Sequence, residues 1–159
     1  MEESLTQAIR ELEYAYVQCI DDDRLEEWPS FFVQENPRYE IISRENWEQN
    51  LPVAVMLCES QGMLQDRVVA LRQANIYAKH YYRHLISNIR IVESLAEQGL
   101  WRVQANYVVF QSLLDGEVQI FQVGRYLDEV RYEGNALKFQ SKRAIFDNAR
   151  VKTLLVTPI

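Results

Sequence analysis

Two residues, His80 and His84, have types and spacing that suggest chemistry, since they lie four positions apart and are the two histidines of the chain. On a helix this spacing puts both imidazoles on one face, where they can share a metal ion. The surrounding residues alternate as in a strand, however, and there the two histidines lie about 13 Å apart, too far to share an ion. We therefore expect hydrogen-bonded or interface histidines, with a metal site or acid–base catalysis as the alternatives.

The acidic run Asp21–Asp23 is a second candidate. A carboxylate buried in a cone-shaped cavity can act as a general base beside a histidine and a tyrosine. This interpretation predicts a stand-alone isomerase, dehydratase or hydrolase that uses Asp22, Asp23 and His84. The competing interpretation, helix capping and solvation, is the one we favour.

The cysteines, Cys19 and Cys58, are far apart, and neither has a histidine near it in sequence. A Rieske cluster needs two cysteines and two histidines in paired spacings. A mononuclear iron site of two histidines and a carboxylate is not indicated either. The chain is therefore expected to hold no metal and no redox cofactor of its own, and its thiols to be buried and reduced.

Composition limits the class of protein. The 159 residues fit one domain, 1–159, and 48% of them are hydrophobic. A net charge of −6 argues against nucleic-acid binding, which needs a basic surface. No signal peptide and no run of about twenty apolar residues is present, so we expect a cytoplasmic protein.

The first half of the chain is predicted to be mainly helical. Apolar residues recur at spacings of three and four over residues 5–20, which predicts an amphipathic helix. The later elements predicted here are a short helix from Arg24 toward Phe32, a strand over Arg38–Ser43, a strand or helix end over Leu51–Cys58, and a helix from Met63 to about Ala74.

The second half is predicted to be an antiparallel meander. Four long runs, at about 81–95, 101–114, 117–131 and 137–146, include strict alternation of apolar and polar residues. Their connections contain Gly99, Gly116 and Gly134 in turn-forming contexts. The pattern predicts an α+β fold, in which the helices cover one face of a strongly curled sheet with a cone-like interior.

Arginine and tyrosine side chains are typical interface anchors, and both types cluster in two segments. Asp66, Arg67 and Arg72 lie on the predicted third helix, and Tyr82 and Arg83 lead the first long strand. Surface salt bridges explain these residues equally well. The tail 154–159 is apolar to its last residue, so we expect it to dock on this chain or on a neighbour.

Four segments, taken together, resemble the β subunits of aromatic-ring-hydroxylating dioxygenases. Residues 62–68 are similar to the family's G-x-L-x-D-R-V segment, and residues 83–88 to its R-H-x-x-x-N strand. Asp23 with Trp28 resembles the family's acidic turn followed by tryptophan, and 124–128 fits a later strand. These similarities occur in the family's order over nearly the whole chain.

The resemblance implies an NTF2-like, or cystatin-like, cone and a mainly structural role without catalytic residues. It also implies assembly with a large α subunit as α3β3 with β trimer contacts. The α subunit would carry the Rieske [2Fe-2S] cluster and a mononuclear non-haem Fe(II), and a reductase, sometimes with a ferredoxin, would deliver electrons. The candidate interface residues are Asp66, Arg67, Arg72, Tyr82, Arg83, His84 and Ile159.

Residues 74–84 are similar to the branch that acts on aromatic acids, such as the salicylate and terephthalate enzymes. A stand-alone enzyme and a ligand-binding homo-oligomer are the alternatives to the subunit role. An interior filled by the chain's own aromatic side chains would favour the subunit. An open polar pocket with a close His–Asp pair would favour the enzyme.

Overall fold

The computed structural model describes residues 2–148 and 155–159, and its strands form one six-stranded mixed sheet. The helices are α1 (Glu2–Asp21), α2 (Arg44–Glu48) and α3 (Gln61–Gln73), with 3-10 helices at Trp28–Phe31 and Ala96–Gln98. The strands are β1 (Arg38–Ser43), β2 (Met56–Cys58), β3 (His80–Leu95), β4 (Leu100–Leu113), β5 (Val118–Glu133) and β6 (Ala136–Phe146).

The strand order is β2-β1-β6-β5-β4-β3, and β3 to β6 form the predicted antiparallel meander. Gly116 and Gly134 occupy hairpin turns with φ of 91° and 61°, a conformation that glycine adopts without a Cβ clash. Strand β1 pairs in parallel with β6, a long-range pairing that local patterns do not predict. The predicted α+β class is confirmed.

Helix α1 confirms the amphipathic helix, and it packs against β3 and β6. The side of the sheet that α1 covers is called the inner face here, and the opposite side the outer face. Along each long strand, buried residues alternate with more exposed ones, so alternate side chains belong to different faces. Bulges in the β3–β4, β4–β5 and β5–β6 ladders add local twist, which curls the sheet around α1.

The short helix predicted from Arg24 toward Phe32 is confirmed only in its second half. Turns precede a 3-10 helix over Trp28–Phe31, which ends where Phe32 becomes extended and bridges to Phe139 on β6. Of the segment Leu51–Cys58, only Met56–Cys58 forms a strand. The third helix begins two residues before Met63, where the Ser60 hydroxyl accepts a hydrogen bond from the Met63 amide. Helix α2 was not predicted.

One glycine is required by a close approach between strands. A Cβ at Gly124 would lie 2.1 Å from the carbonyl oxygen of Ile145 on β6. Because that atom belongs to the backbone, any larger residue would push β5 and β6 apart. In the described ranges, no helix is both long and apolar enough to cross a membrane.

Candidate functional site

The first candidate site is a buried pair formed by Asp21, at the end of α1, and His84, on β3. The Asp21 Oδ1 atom lies 2.6 Å from His84 Nδ1, and Asp21 Oδ2 accepts a hydrogen bond of 2.8 Å from the His84 backbone amide. The His84 side chain is 0% exposed and that of Asp21 is 3% exposed. An ionised carboxylate only accepts, so Nδ1 is the donor in a contact with ionised Asp21. The Nε2 atom of His84 is buried without a hydrogen-bond partner in the described chain.

The two carboxylates predicted to serve His84 lie elsewhere. Asp22 accepts a hydrogen bond from Gln18 and lies 3.7 Å from Arg24. Asp23, whose φ is 57°, receives two hydrogen bonds from Arg72, of 2.9 and 3.0 Å. Neither aspartate caps a helix. The N-cap position of the next helix, the 3-10 helix Trp28–Phe31, is Glu27, which makes no capping hydrogen bond with its side chain. Asp21 contacts His84, and its two neighbours do not, because of its position around the helix. It follows Val17 by four residues and therefore lies on the same buried side of α1.

A surface pocket of about 390 Å³ opens beside the Asp21–His84 pair. Asp21, Arg72, His80 and Tyr82 contribute to its lining, but His84 does not. His80 is held by the carbonyl of Ala78, 2.8 Å from its Nδ1 atom. The aspartate of the pair therefore contributes to the wall of the pocket, and the histidine does not.

The second candidate site is a charged cluster on the inner face. Lys142 Nζ donates to Glu13 Oε2 and to Asp128 Oδ2, both at 2.8 Å, and all three side chains are 0% exposed. Burial, with the nearby Glu13 carboxyl, raises the pKa of Asp128 well above its ordinary value, against the lowering effect of Lys142. The cluster thus places one ammonium between two buried carboxyl groups.

Aromatic rings enclose this charged cluster. The Lys142 ammonium lies 3.8 Å from the ring centre of Tyr126, 4.4 Å from that of Phe139 and 4.6 Å from that of Tyr16. Tyr107 stacks on Tyr126 with ring centres 4.4 Å apart. The cluster is thus part of the core and has no open face for a substrate.

The apolar tail docks as predicted over its described residues 155–159, while Leu154 lies outside them. The hydroxyls of Tyr16 and Tyr39 donate to the Ile159 carbonyl oxygen, at 3.0 and 3.1 Å. The Ile159 amide donates to Tyr39 Oη at 2.8 Å, and Ile159 is 0% exposed. The tail is therefore held by hydrogen bonds deep inside the chain.

The seven interface candidates occupy three kinds of position. Tyr82, His84 and Ile159 are buried within the chain. Arg72 is engaged by Asp23 and Glu26. The other three, Asp66, Arg67 and Arg83, are exposed or half-buried. Contact of all seven with another subunit stays a prediction.

The cysteines and histidines do not form a ligand set. Cys19 and Cys58 are buried free thiols that donate to the carbonyls of Arg24 and Met63. Burial raises the pKa of Cys19 to about 11, so this thiol stays protonated. Across 2–148 and 155–159, no three His, Cys, Asp or Glu side chains are grouped to hold a metal ion.

The charged cluster was missed at the level of the sequence, although a signal was present. Glu13 falls within the apolar stripe of α1, between Ile9 and Tyr16. Asp128 and Lys142 likewise occupy inward positions of alternating strands. A charged residue on a buried face needs a buried partner, and this requirement marks all three.

The fold defines a cone-shaped α+β domain whose interior is filled by its own side chains. A family model described as "Ring hydroxylating beta subunit" matches residues 16–153. The anthranilate 1,2-dioxygenase small subunit of Burkholderia cepacia is 45% identical over 148 residues, 93% of this chain and 90% of that protein. Terephthalate 1,2-dioxygenase terminal oxygenase component subunit beta 2 of a Comamonas species is 33% identical over 145 residues, 91% and 92% of the two chains.

A solved structure gives the same result. The crystal structure of a protein assigned as the β subunit of an aromatic-ring-hydroxylating dioxygenase of Novosphingobium aromaticivorans DSM 12444 superposes with a TM-score of 0.89. It is 44% identical, and the match covers 99% of each chain. The chain belongs to the ring hydroxylating beta subunit family.

This membership confirms the resemblance found in the sequence and the NTF2-like cone that it implied. The chain is a small subunit of a multi-subunit ring-hydroxylating dioxygenase, which is an oxidoreductase, and a larger subunit is its partner.

Proposed function

We propose that this chain is the structural, cytoplasmic β subunit of a Rieske non-haem iron oxygenase that hydroxylates an aromatic acid. The substrate class is supported by two relatives, whose names specify anthranilate and terephthalate, both aromatic carboxylates. The chain forms one domain over residues 1–159 and supports the large subunit that does the chemistry.

The observation that carries this proposal is the filled interior. Tyr16, Tyr39 and Lys142 are fully buried, and the chain's own Ile159 is hydrogen-bonded among them. A substrate the size of an aromatic acid would have to displace these groups. The inner face is therefore a scaffold, and the reaction belongs to another chain.

The cofactors fit the large subunit better than this chain. A Rieske cluster needs two thiolates and two imidazoles on one cluster. Here Cys19 and Cys58 donate to separate backbone carbonyls, and one imidazole nitrogen of His84 is engaged by Asp21. We place the [2Fe-2S] cluster and the Fe(II) in the large subunit, within an α3β3 assembly with β trimer contacts, served by a reductase and, in some systems, a ferredoxin.

The test is purification of the tagged chain from its native host, with mass spectrometry, an iron assay and a hydroxylation assay on the eluate. A large Rieske-type subunit should co-elute, and iron should leave the sample when that subunit is stripped away. Elution of the chain alone, as an iron-free homo-oligomer from cells that contain the large subunit, would contradict the proposal.

A stand-alone isomerase, dehydratase or hydrolase is the alternative, and the Asp21–His84 contact of 2.6 Å favours it. Its catalytic carboxylate would be Asp21 in place of Asp22 or Asp23. If the subunit role is correct, the isolated wild-type chain should not convert a hydroxylated aromatic acid that is offered to it as substrate. Turnover that is lost in Asp21→Asn but kept in Asp22→Asn would support the alternative.

A further inference from the structure

The pocket beside Asp21, called the side pocket here, is walled by aromatic rings where the chain enters β3. Its lining includes Tyr77, His80 and Tyr82. The ring centres of Tyr77 and His80 are 5.7 Å apart, and those of His80 and Tyr82 are 4.7 Å apart. The three rings therefore form one continuous wall. Its volume of about 390 Å³ is that of a small-molecule site, for which roughly 300–1,000 Å³ is usual.

The aromatic wall is fixed at its inner end and open at its outer end. Tyr82 is 4% exposed and packs on Phe121, with ring centres 5.2 Å apart. Tyr77 is 37% exposed and Tyr81, which also lines the side pocket, is 55% exposed. A flat ring laid against this wall would stack on surfaces that are already in place and would remove exposed aromatic surface from water.

The charged side chains of the side pocket are already paired, with one exception. The lining contains Asp21, Asp23, Arg72 and Lys79. Asp21 contacts His84 at 2.6 Å, and Asp23 receives two hydrogen bonds from Arg72. Lys79, in contrast, makes no ion pair with any residue in 2–148 or 155–159. The charge that the side pocket leaves available to a ligand is therefore a single ammonium group, which favours an anion.

Shape and charge together select the class of ligand. An inorganic anion would pair with Lys79 but would leave the aromatic wall uncovered. An uncharged aromatic ring would cover the wall but would leave the ammonium without a counter-ion. A planar aromatic carboxylate satisfies both, since its ring stacks on the wall and its carboxylate accepts charge-assisted hydrogen bonds from Lys79.

We propose that the side pocket binds a planar aromatic carboxylate, with the ring against Tyr77, His80 and Tyr82 and the carboxylate at Lys79. The site goes beyond the role of a structural subunit, because it gives this chain a ligand of its own. His84 lies outside the lining, so the ligand is held there without contact to its imidazole.

The test is titration of the full chain with benzoate, followed by the nuclear magnetic resonance shifts of its backbone amides. Saturable shifts should cluster at residues 77–82, with a dissociation constant of about 1 mM for so small a ligand. Cyclohexanecarboxylate, which has the charge without the flat ring, should bind at least about threefold more weakly. Benzyl alcohol, which has the ring without the charge, should bind about fivefold more weakly.

Two variants separate the contributions of charge and ring. Lys79→Met should weaken benzoate binding about fivefold and leave benzyl alcohol binding unchanged. Tyr77→Leu should weaken benzoate binding about threefold. The matched controls are Arg10→Met and Tyr14→Leu, at exposed residues of α1, and both should bind benzoate as the wild type does. Circular dichroism checks that each variant is folded.

Three results would overturn the proposal. The first is the lack of saturable shifts at residues 77–82 with benzoate. The second is equal affinity for benzoate and cyclohexanecarboxylate, which would mean that the aromatic wall does not select a flat ring. The third is an equal loss of affinity in Lys79→Met and Arg10→Met, which would reduce the effect to the net charge of the chain. Because no large subunit is present in the titration, none of these results bears on the proposed function.

Discussion

The inner and outer faces of the sheet are built from alternate residues of the same strands, yet their charged side chains differ in burial and in pairing. On the inner face, Lys142 is fully buried and meets two carboxyl groups at 2.8 Å. On the outer face, Arg83 and Arg125 have no counter-ion in the described ranges, and exposed Leu85 lies near them. The inner face is covered by the chain itself, and the outer face leaves apolar and charged side chains exposed.

This difference between the two faces indicates which residues stabilise the fold and which are available to a partner. A closed inner face needs no ligand for its stability, since its own tail and aromatic rings fill it. An uncovered apolar face gains from a partner, because association removes that surface from water. Inner-face substitutions should therefore act on folding, and outer-face substitutions on assembly.

The largest effect on folding is expected from Lys142→Met. The substitution leaves the carboxyl groups of Glu13 and Asp128 buried without a cation, which costs about 3–5 kcal/mol. Urea unfolding of the isolated chain measures it. Lys79→Met, at an exposed residue, is the matched control and should stay within about 0.5 kcal/mol of the wild type. A loss below about 1 kcal/mol for Lys142→Met would show that the inner face tolerates unpaired carboxyls.

A smaller loss is expected from Asp21→Ala. It removes the acceptor of the His84 backbone amide and of Nδ1, and we expect a loss of about 1–3 kcal/mol in all, the cost of an unsatisfied buried donor. Asp22→Ala, whose carboxylate is largely exposed, should change the free energy of unfolding by less than about 0.5 kcal/mol. Equal losses in the two variants would mean that the buried pair contributes no special stability.

A pH effect is expected from Asp128, whose folded pKa is raised by burial above the ordinary 3.8. Above pH 3.8 the folded chain then holds a proton that the unfolded chain releases, so stability falls as the pH rises toward the raised pKa. Asp128→Asn should flatten this slope in urea titrations between pH 5 and pH 8, values at which its unfolded carboxyl is ionised. An unchanged slope would contradict a raised pKa of the Asp128 carboxyl in the folded chain.

The smallest effect on folding is expected from Ile120→Asp, at a residue of the outer face that is 55% exposed. Its free energy of unfolding should stay within about 0.5 kcal/mol of the wild type in the isolated chain. Thermal unfolding checks this value. A loss comparable to that of Asp21→Ala would show that this part of the outer face packs within the chain, and the contrast between the two faces would fail.

Much of the fold was predictable because its signals are local. The boundaries of β1, Arg38–Ser43, agree with the predicted strand, and the turns at Gly116 and Gly134 separate the strands as expected. The short helix predicted from Arg24 formed only as a 3-10 helix over Trp28–Phe31, and it ends where Phe32 pairs with Phe139, more than one hundred residues away in sequence. The local pattern of apolar residues does not show that a distant strand will pair with this segment.

The candidate site was less predictable for the same reason. His84 was correctly singled out as a histidine with a hydrogen-bonded role, but its carboxylate was placed at Asp22 or Asp23. The sequence does not distinguish three neighbouring aspartates from one another. Asp21 is the one that contacts His84 because of the direction its side chain has where α1 ends. Likewise, Arg83 was a candidate as a residue type, and its missing counter-ion became visible only in the folded sheet.

The sequence by itself determined the long strands, the amphipathic α1, the family and the lack of clustered Cys and His motifs, because each depends on residue types at short spacing. The tertiary structure decided which groups meet. Asp21 and His84 are 63 positions apart, Lys142 and Glu13 are 129 apart, and Ile159 reaches Tyr16 across 143. Such contacts depend on strand register and on the position of α1 over the curled sheet, which no short stretch of residues specifies.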